Sequence, residues 1–130
     1  MKNVPSSLRK WFVAHFVIDL VFAVPLLLFP VQTLQLFGWT TVDPLATRLV
    51  GAALVGIGVE SYLGRDGSVE SYQTMLRLKI LWSLSANFGI ALTIAQGAPI
   101  MAWLFLALFV GFSGLWIYYK IRLGKLLSSA

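Results

Sequence analysis

Residues 100–119 read IMAWLFLALFVGFSGLWIYY, an apolar run uninterrupted by any charged side chain. At helical rise about 20 residues cover the roughly 30 Å of hydrocarbon in a bilayer, so this run is long enough to cross it once. Toward the N terminus lie three further, predominantly apolar runs, Leu8 to Phe29, Leu45 to Leu63 and Met75 to Ala95. The connectors between them are too short to form a separate soluble domain. The pattern predicts an all-α fold: a four-transmembrane-helix bundle forming a single integral membrane domain over residues 1–130, with a short interfacial segment at 30–44.

Composition agrees, with 58% hydrophobic and 12% charged residues and a mean hydropathy of +0.83. A soluble globular domain carries about twice that share of charge. The chain has no cysteine, which removes disulfides, thiol catalysis and cysteine-based metal sites from consideration. Its net charge of +5 would suggest nucleic acid in a soluble protein. Here the positions of the charges say more. Lys2, Arg9 and Lys10 stand before or at the very start of the first run, Arg65, Arg77 and Lys79 flank the connector between the second and third, and Lys120, Arg122 and Lys125 follow the fourth, leaving only Arg48 for the opposite side. The positive-inside rule then predicts a multi-pass protein of the cell membrane with both termini cytoplasmic. A bias this strong argues against dual-topology insertion, and it makes the basic residues orientation signals and lipid headgroup contacts, with no role in binding nucleic acid.

The first run has the basic start and apolar middle of a signal peptide, but it carries His15 and Asp19 in that middle and lacks an A-x-A cleavage site. It is expected to be a retained helix, kinked by Pro25 and ended by Pro30. Asp43-Pro44 reads as a helix start, with aspartate as cap and proline in the first turn. Ser68 is expected to cap the third helix before it enters the membrane, and Gln96-Gly97-Ala98-Pro99 forms a tight turn that makes the third and fourth helices antiparallel neighbours. Val31, Leu34, Leu36, Phe37 and Trp39 make the 30–44 connector too apolar for a solvated loop. It can be a lid over the helix ends or a substrate gate. Trp11, Trp39, Trp82, Trp103, Tyr72, Tyr118 and Tyr119 fall mostly near the ends of the runs, as interfacial anchors do.

Small residues mark the helix-packing faces: Gly51, Ala52, Gly56 and Gly58 on the second helix, Ser85, Gly89 and Thr93 on the third, and Ala107 with Gly111 on the fourth. They allow close backbone approach, either within one bundle or between copies in a homo-oligomer. An ionisable side chain at depth must face protein or water. Asp19 lies ten residues beyond Arg9, and Asn87 ten beyond Arg77, which places both roughly 15 Å deep at helical rise. With His15 and Ser83 one turn away on the same faces, these form a candidate polar seam of His15, Asp19, Ser83 and Asn87. Asp19 can be functional there, or it can fix helix register as a buried carboxyl. One histidine and one aspartate are too few for a metal site, and a haem would need another axial ligand; neither metal nor cofactor is expected. Glu60 is expected to pair with Arg77 or Lys79, and Arg48 to be an outer-leaflet anchor or the partner of Asp43.

The phrases FVIDLVFAVPLLLFP, VDPLATRLVGAALVGIGVESYLGR, LRLKILWS and FSGLWIYYKIRL resemble those of an uncharacterised family of small four-helix prokaryotic membrane proteins, DoxX-like in architecture. The resemblance spans nearly the whole chain and implies the fold, and no active site can be carried over with it. The cysteines of quinone-linked thiol oxidoreductases and the signature of membrane glutathione transferases are both missing. The reading favoured from the residues is a non-catalytic integral membrane protein, a homo-oligomer or an accessory subunit that binds lipid, a hydrophobic ligand or a larger membrane complex. The alternative is a proton-linked small-solute transporter or channel using Asp19. Against it, the helix beyond Asp19 runs through Val21, Phe22, Ala23 and Val24 with no polar step. A lipid-modifying enzyme ranks third, because no paired carboxylates or activated nucleophile are visible.

Overall fold

The computed structural model describes residues 3–129 as five helices: α1 (Ser6–Leu28), α2 (Pro30–Leu36), α3 (Pro44–Leu63), α4 (Val69–Ala95) and α5 (Met101–Ser128). No strand occurs among the described residues. α1, α3, α4 and α5 are each long and apolar enough to cross a membrane.

The helix boundaries follow local chemistry. Pro25 lies inside α1, which continues to Leu28; Pro30 then opens α2 at its first turn, where a missing N–H costs least. α2 ends in a Schellman motif. Gly38, at φ 102°, lets its own N–H reach Gln35 O and the Trp39 N–H reach Leu34 O, both at 3.0 Å. The Asp43 carboxylate accepts from the N–H groups of Leu45 and Ala46 at 2.9 and 3.3 Å and caps α3, as its place before Pro44 predicts. Ser68 Oγ accepts from the Ser71 N–H at 3.1 Å and caps α4. Gly97, at φ 95°, turns the chain between α4 and α5.

Two compact units form. One comprises α1 from Arg9 onward, α2 and α3, through Arg65; the other comprises the N-terminal segment through Leu8 with α4 and α5. In the first, α1 and α3 run antiparallel. Phe16 stacks on Tyr62 at 4.8 Å between ring centroids near one end, and Arg48 Nε donates to Leu27 O at 3.0 Å near the other. The Arg9 guanidinium donates to the Arg65 carbonyl. Arg48 therefore serves the C-terminal carbonyls of α1. It is not the partner of Asp43, whose carboxylate is engaged as a cap.

The buried residues of α3 are Thr47, Gly51, Leu54, Gly58 and Ser61, at alternating spacings of four and three. That 3.5-residue period is the seam of a left-handed helix pair, and small residues dominate it because close backbone contact must replace the missing hydrophobic drive. A Cβ added at Gly51 would lie 3.0 Å from Leu27 Cγ, and one at Gly58 only 2.7 Å from Asp19 Cβ. Of the small residues predicted to pack, Gly51 and Gly58 do so inside their unit. Ala52, Ser85 and Ala107 are exposed, and a Cβ at Gly56, Gly89 or Gly111 would meet nothing within 4 Å among the described residues.

In the second unit α4 and α5 are antiparallel, with Trp82 edge-on to Phe109 at 6.2 Å and Tyr119 Oη donating to Ser7 Oγ at 2.7 Å. Both helices outrun the apolar stretches that predicted them. α4 starts at Val69 and α5 continues to Ser128, because the backbone ladder needs no hydrocarbon and Leu123 is fully buried beyond the charged Lys120 and Arg122. A more consequential correction concerns Lys79. It is not a headgroup-facing orientation charge: only 3% of it is exposed, and its ammonium lies 5.1 Å from the centroid of the buried Trp116 ring.

Candidate functional site

His15 and Asp19 occupy adjacent turns of α1, and both are buried, 6% and 5% exposed. His15 Nε2 lies 3.2 Å from Asp19 Oδ1, within reach of a hydrogen bond from a ring N–H to the carboxyl oxygen. The pair fits because of α3. The Asp19 carboxyl stands over Gly58, where an added Cβ would lie 3.2 Å from Oδ2, so any larger residue at 58 would displace it. One turn along α3, the buried Ser61 hydroxyl donates to Ile57 O at 2.7 Å. Two predicted site residues are thus brought together, in a pocket made for them by a glycine.

Ser83 and Asn87 lie on α4 and have local partners of their own. Ser83 Oγ, buried, donates to Ile80 O at 3.2 Å. Asn87 Nδ2 donates at 3.0 Å to Ser113 Oγ on α5, which passes its own proton to Phe109 O at 2.7 Å. The amide oxygen of Asn87 is buried and accepts no hydrogen bond among the described residues. With Lys79, Ser83 and Asn87 spaced at i, i+4 and i+8, α4 turns a polar stripe toward Ser113 and Trp116 of α5.

Sequence reasoning missed Ser113, Lys79 and the role of Gly58. Lys79 had a usable signal, since it stands four residues before Ser83 on the same face. Ser113 had one too: the tight turn at 96–99 sets the antiparallel register that brings it opposite Asn87. Gly58 had none, because nothing in the chain says which of two small faces on α3 meets Asp19.

The chemistry within reach is narrow. His15 and Asp19 can hold and exchange one proton; the Asn87–Ser113 pair can orient one hydrogen-bonded group. Among the described residues no three His, Asp or Glu side chains gather as a metal site would require. Compared with protein-family models, with curated proteins and with solved structures, the chain matches none.

Proposed function

We propose that this protein is a non-catalytic integral membrane component that self-associates, or joins a larger membrane complex, through the outward small-residue faces of α3, α4 and α5. One observation carries the reading: the small residues fall into two sets with opposite surroundings. Gly51 and Gly58 are filled against α1, whereas Gly56, Gly89 and Gly111 have open space where a side chain would stand. Small residues on a lipid-facing helix surface forgo contact with acyl chains. Against another helix the same surface permits close backbone approach.

α1 offers the contrast, presenting Val17, Val21, Val24 and Leu28 outward, a bulky face suited to lipid. The DoxX-like resemblance of the sequence fits the same reading. The basic residues near the two ends of the chain, with Arg65 and Arg77 on either side of the start of α4, support a cytoplasmic location for both termini.

The buried His15–Asp19 pair supports a second reading, a proton-linked small-solute carrier or channel that uses Asp19. Reconstituted protein separates the two. On the association reading, Gly56→Leu breaks the oligomer by steric clash, while Asp19→Asn changes nothing, because the amide occupies the carboxyl's place. Proton flux that Asp19→Asn abolishes, with oligomer size unchanged, would overturn it.

A further inference from the structure

We propose that the C-terminal end of α5 carries an anionic phospholipid site made by Tyr118, Ile121, Arg122 and Lys125. The inference rests on the reading of α5 as a membrane span and deepens it by naming the lipid class. α5 has 28 residues, about 42 Å at helical rise against roughly 30 Å of hydrocarbon, so its excess reaches into the headgroup layer. Counted from Met101, the hydrocarbon boundary falls close to Lys120.

The excess is held in place. Leu123 is fully buried, Lys120 Nζ donates to Gln73 Oε1 at 2.6 Å, and Gln73 Nε2 donates back to the Lys120 carbonyl at 3.4 Å. This clamp against the first turns of α4 fixes which side of the extension faces outward. That side carries Tyr118 and Ile121, each 56% exposed, together with the exposed Arg122 and Lys125. The spacing i, i+3, i+4 and i+7 makes them one stripe.

Its chemistry changes along the axis. The aromatic and aliphatic members stand at the depth of the upper acyl chain, and the guanidinium and ammonium stand farther out, where phosphate lies. No acidic residue occurs anywhere in α5, so its basic charge is uncompensated on its own helix. A phospholipid bearing a net negative headgroup matches both halves of the stripe; a zwitterionic one leaves the cations facing its own choline or amine.

The test is titration of the purified, detergent-solubilised protein with phosphatidylglycerol and with phosphatidylcholine, read as bound lipid by native mass spectrometry at low ionic strength. Near an anionic surface each basic residue is worth about 1 kcal/mol, or about fivefold in affinity. Arg122→Gln and Lys125→Gln should each lower the preference for phosphatidylglycerol by about that factor, and together by roughly 25-fold. Lys10→Gln, an exposed cation on α1, should leave it unchanged. Soluble glycerol phosphate should not compete, because it cannot engage Tyr118 and Ile121. An equal loss in Lys10→Gln would mean diffuse charge and would overturn the site; competition by glycerol phosphate would assign it to free phosphate and overturn the lipid. Resistance of the protein to alkaline carbonate extraction from membranes reports separately on the span. A protein that resists extraction and shows no lipid preference refutes this site alone, and one that is extracted refutes the span and the site together.

Discussion

Gly58→Ala should destabilise the chain, and the structure says by how much. The new methyl carbon would stand 2.7 Å from Asp19 Cβ and 3.2 Å from its Oδ2. Carbon atoms rest at about 3.5–4.0 Å, and Asp19 Cβ is fixed to its backbone, so α1 and α3 must part by most of an ångström. Overpacking of this kind costs about 1–3 kcal/mol. Against it stands the gain of about 1 kcal/mol from replacing a mid-helix glycine by alanine. Gly56→Ala isolates the packing cost, because it collects the same helix gain where a Cβ would meet nothing within 4 Å among the described residues. Gly58→Ala should therefore be about 1–3 kcal/mol less stable than Gly56→Ala. Gly51→Ala should fall between them, since its closest neighbour, at 3.0 Å, is the Leu27 side chain, which can turn aside. The assay is unfolding in graded dodecyl sulfate followed by circular dichroism, with the chain diluted until dissociated. Equal midpoints for Gly58→Ala and Gly56→Ala would refute the close approach of α1 to α3.

Asn87→Leu should cost about 0.6 kcal/mol and no more than about 1.7, the range for interhelical hydrogen bonds in a bilayer, and Ser113→Ala should reproduce it without adding to it in the double variant. Fully additive losses in the same unfolding assay would mean that the two side chains act independently. For orientation, cysteines placed by Ser6→Cys, Ser129→Cys and Thr40→Cys should divide, the first two protected from an external reagent in intact cells and the third labelled. Labelling at either terminus from outside would reverse the topology.

The helices were legible because their signals are local. Asp43-Pro44 and Ser68 announce the starts of α3 and α4, and both act as caps. The length of α5 was not legible. Charged residues after Tyr119 mark where hydrocarbon ends, and a helix that finds a neighbour continues past that point, as Leu123 and the Gln73–Lys120 pair show. The inward face of α3 was hidden for another reason. In water an apolar stripe shows which side is buried, but a span is apolar all round, and Ala52 with Gly56 is as plausible a contact face as Gly51 with Gly58.

The same limit explains the candidate site. The 3.6-residue period puts His15 and Asp19 on one face of α1, and they meet. Depth counting gives Asn87 only an expected level and could not select its hydrogen-bond partner, which is Ser113 across the α4–α5 contact.

On the proposed reading the open small-residue faces meet another copy of the chain or a partner subunit. Because the natural sequence has no cysteine, Gly56→Cys introduces a single reactive thiol, and mild oxidation in native membranes reads whether a second thiol comes within disulfide range. Self-association predicts a cross-linked dimer for Gly56→Cys and none for Val21→Cys, a cysteine on the bulky outward face of α1. Equal cross-linking at both positions, or at neither while Ala52→Cys and Gly111→Cys also stay monomeric, would contradict self-association through these faces.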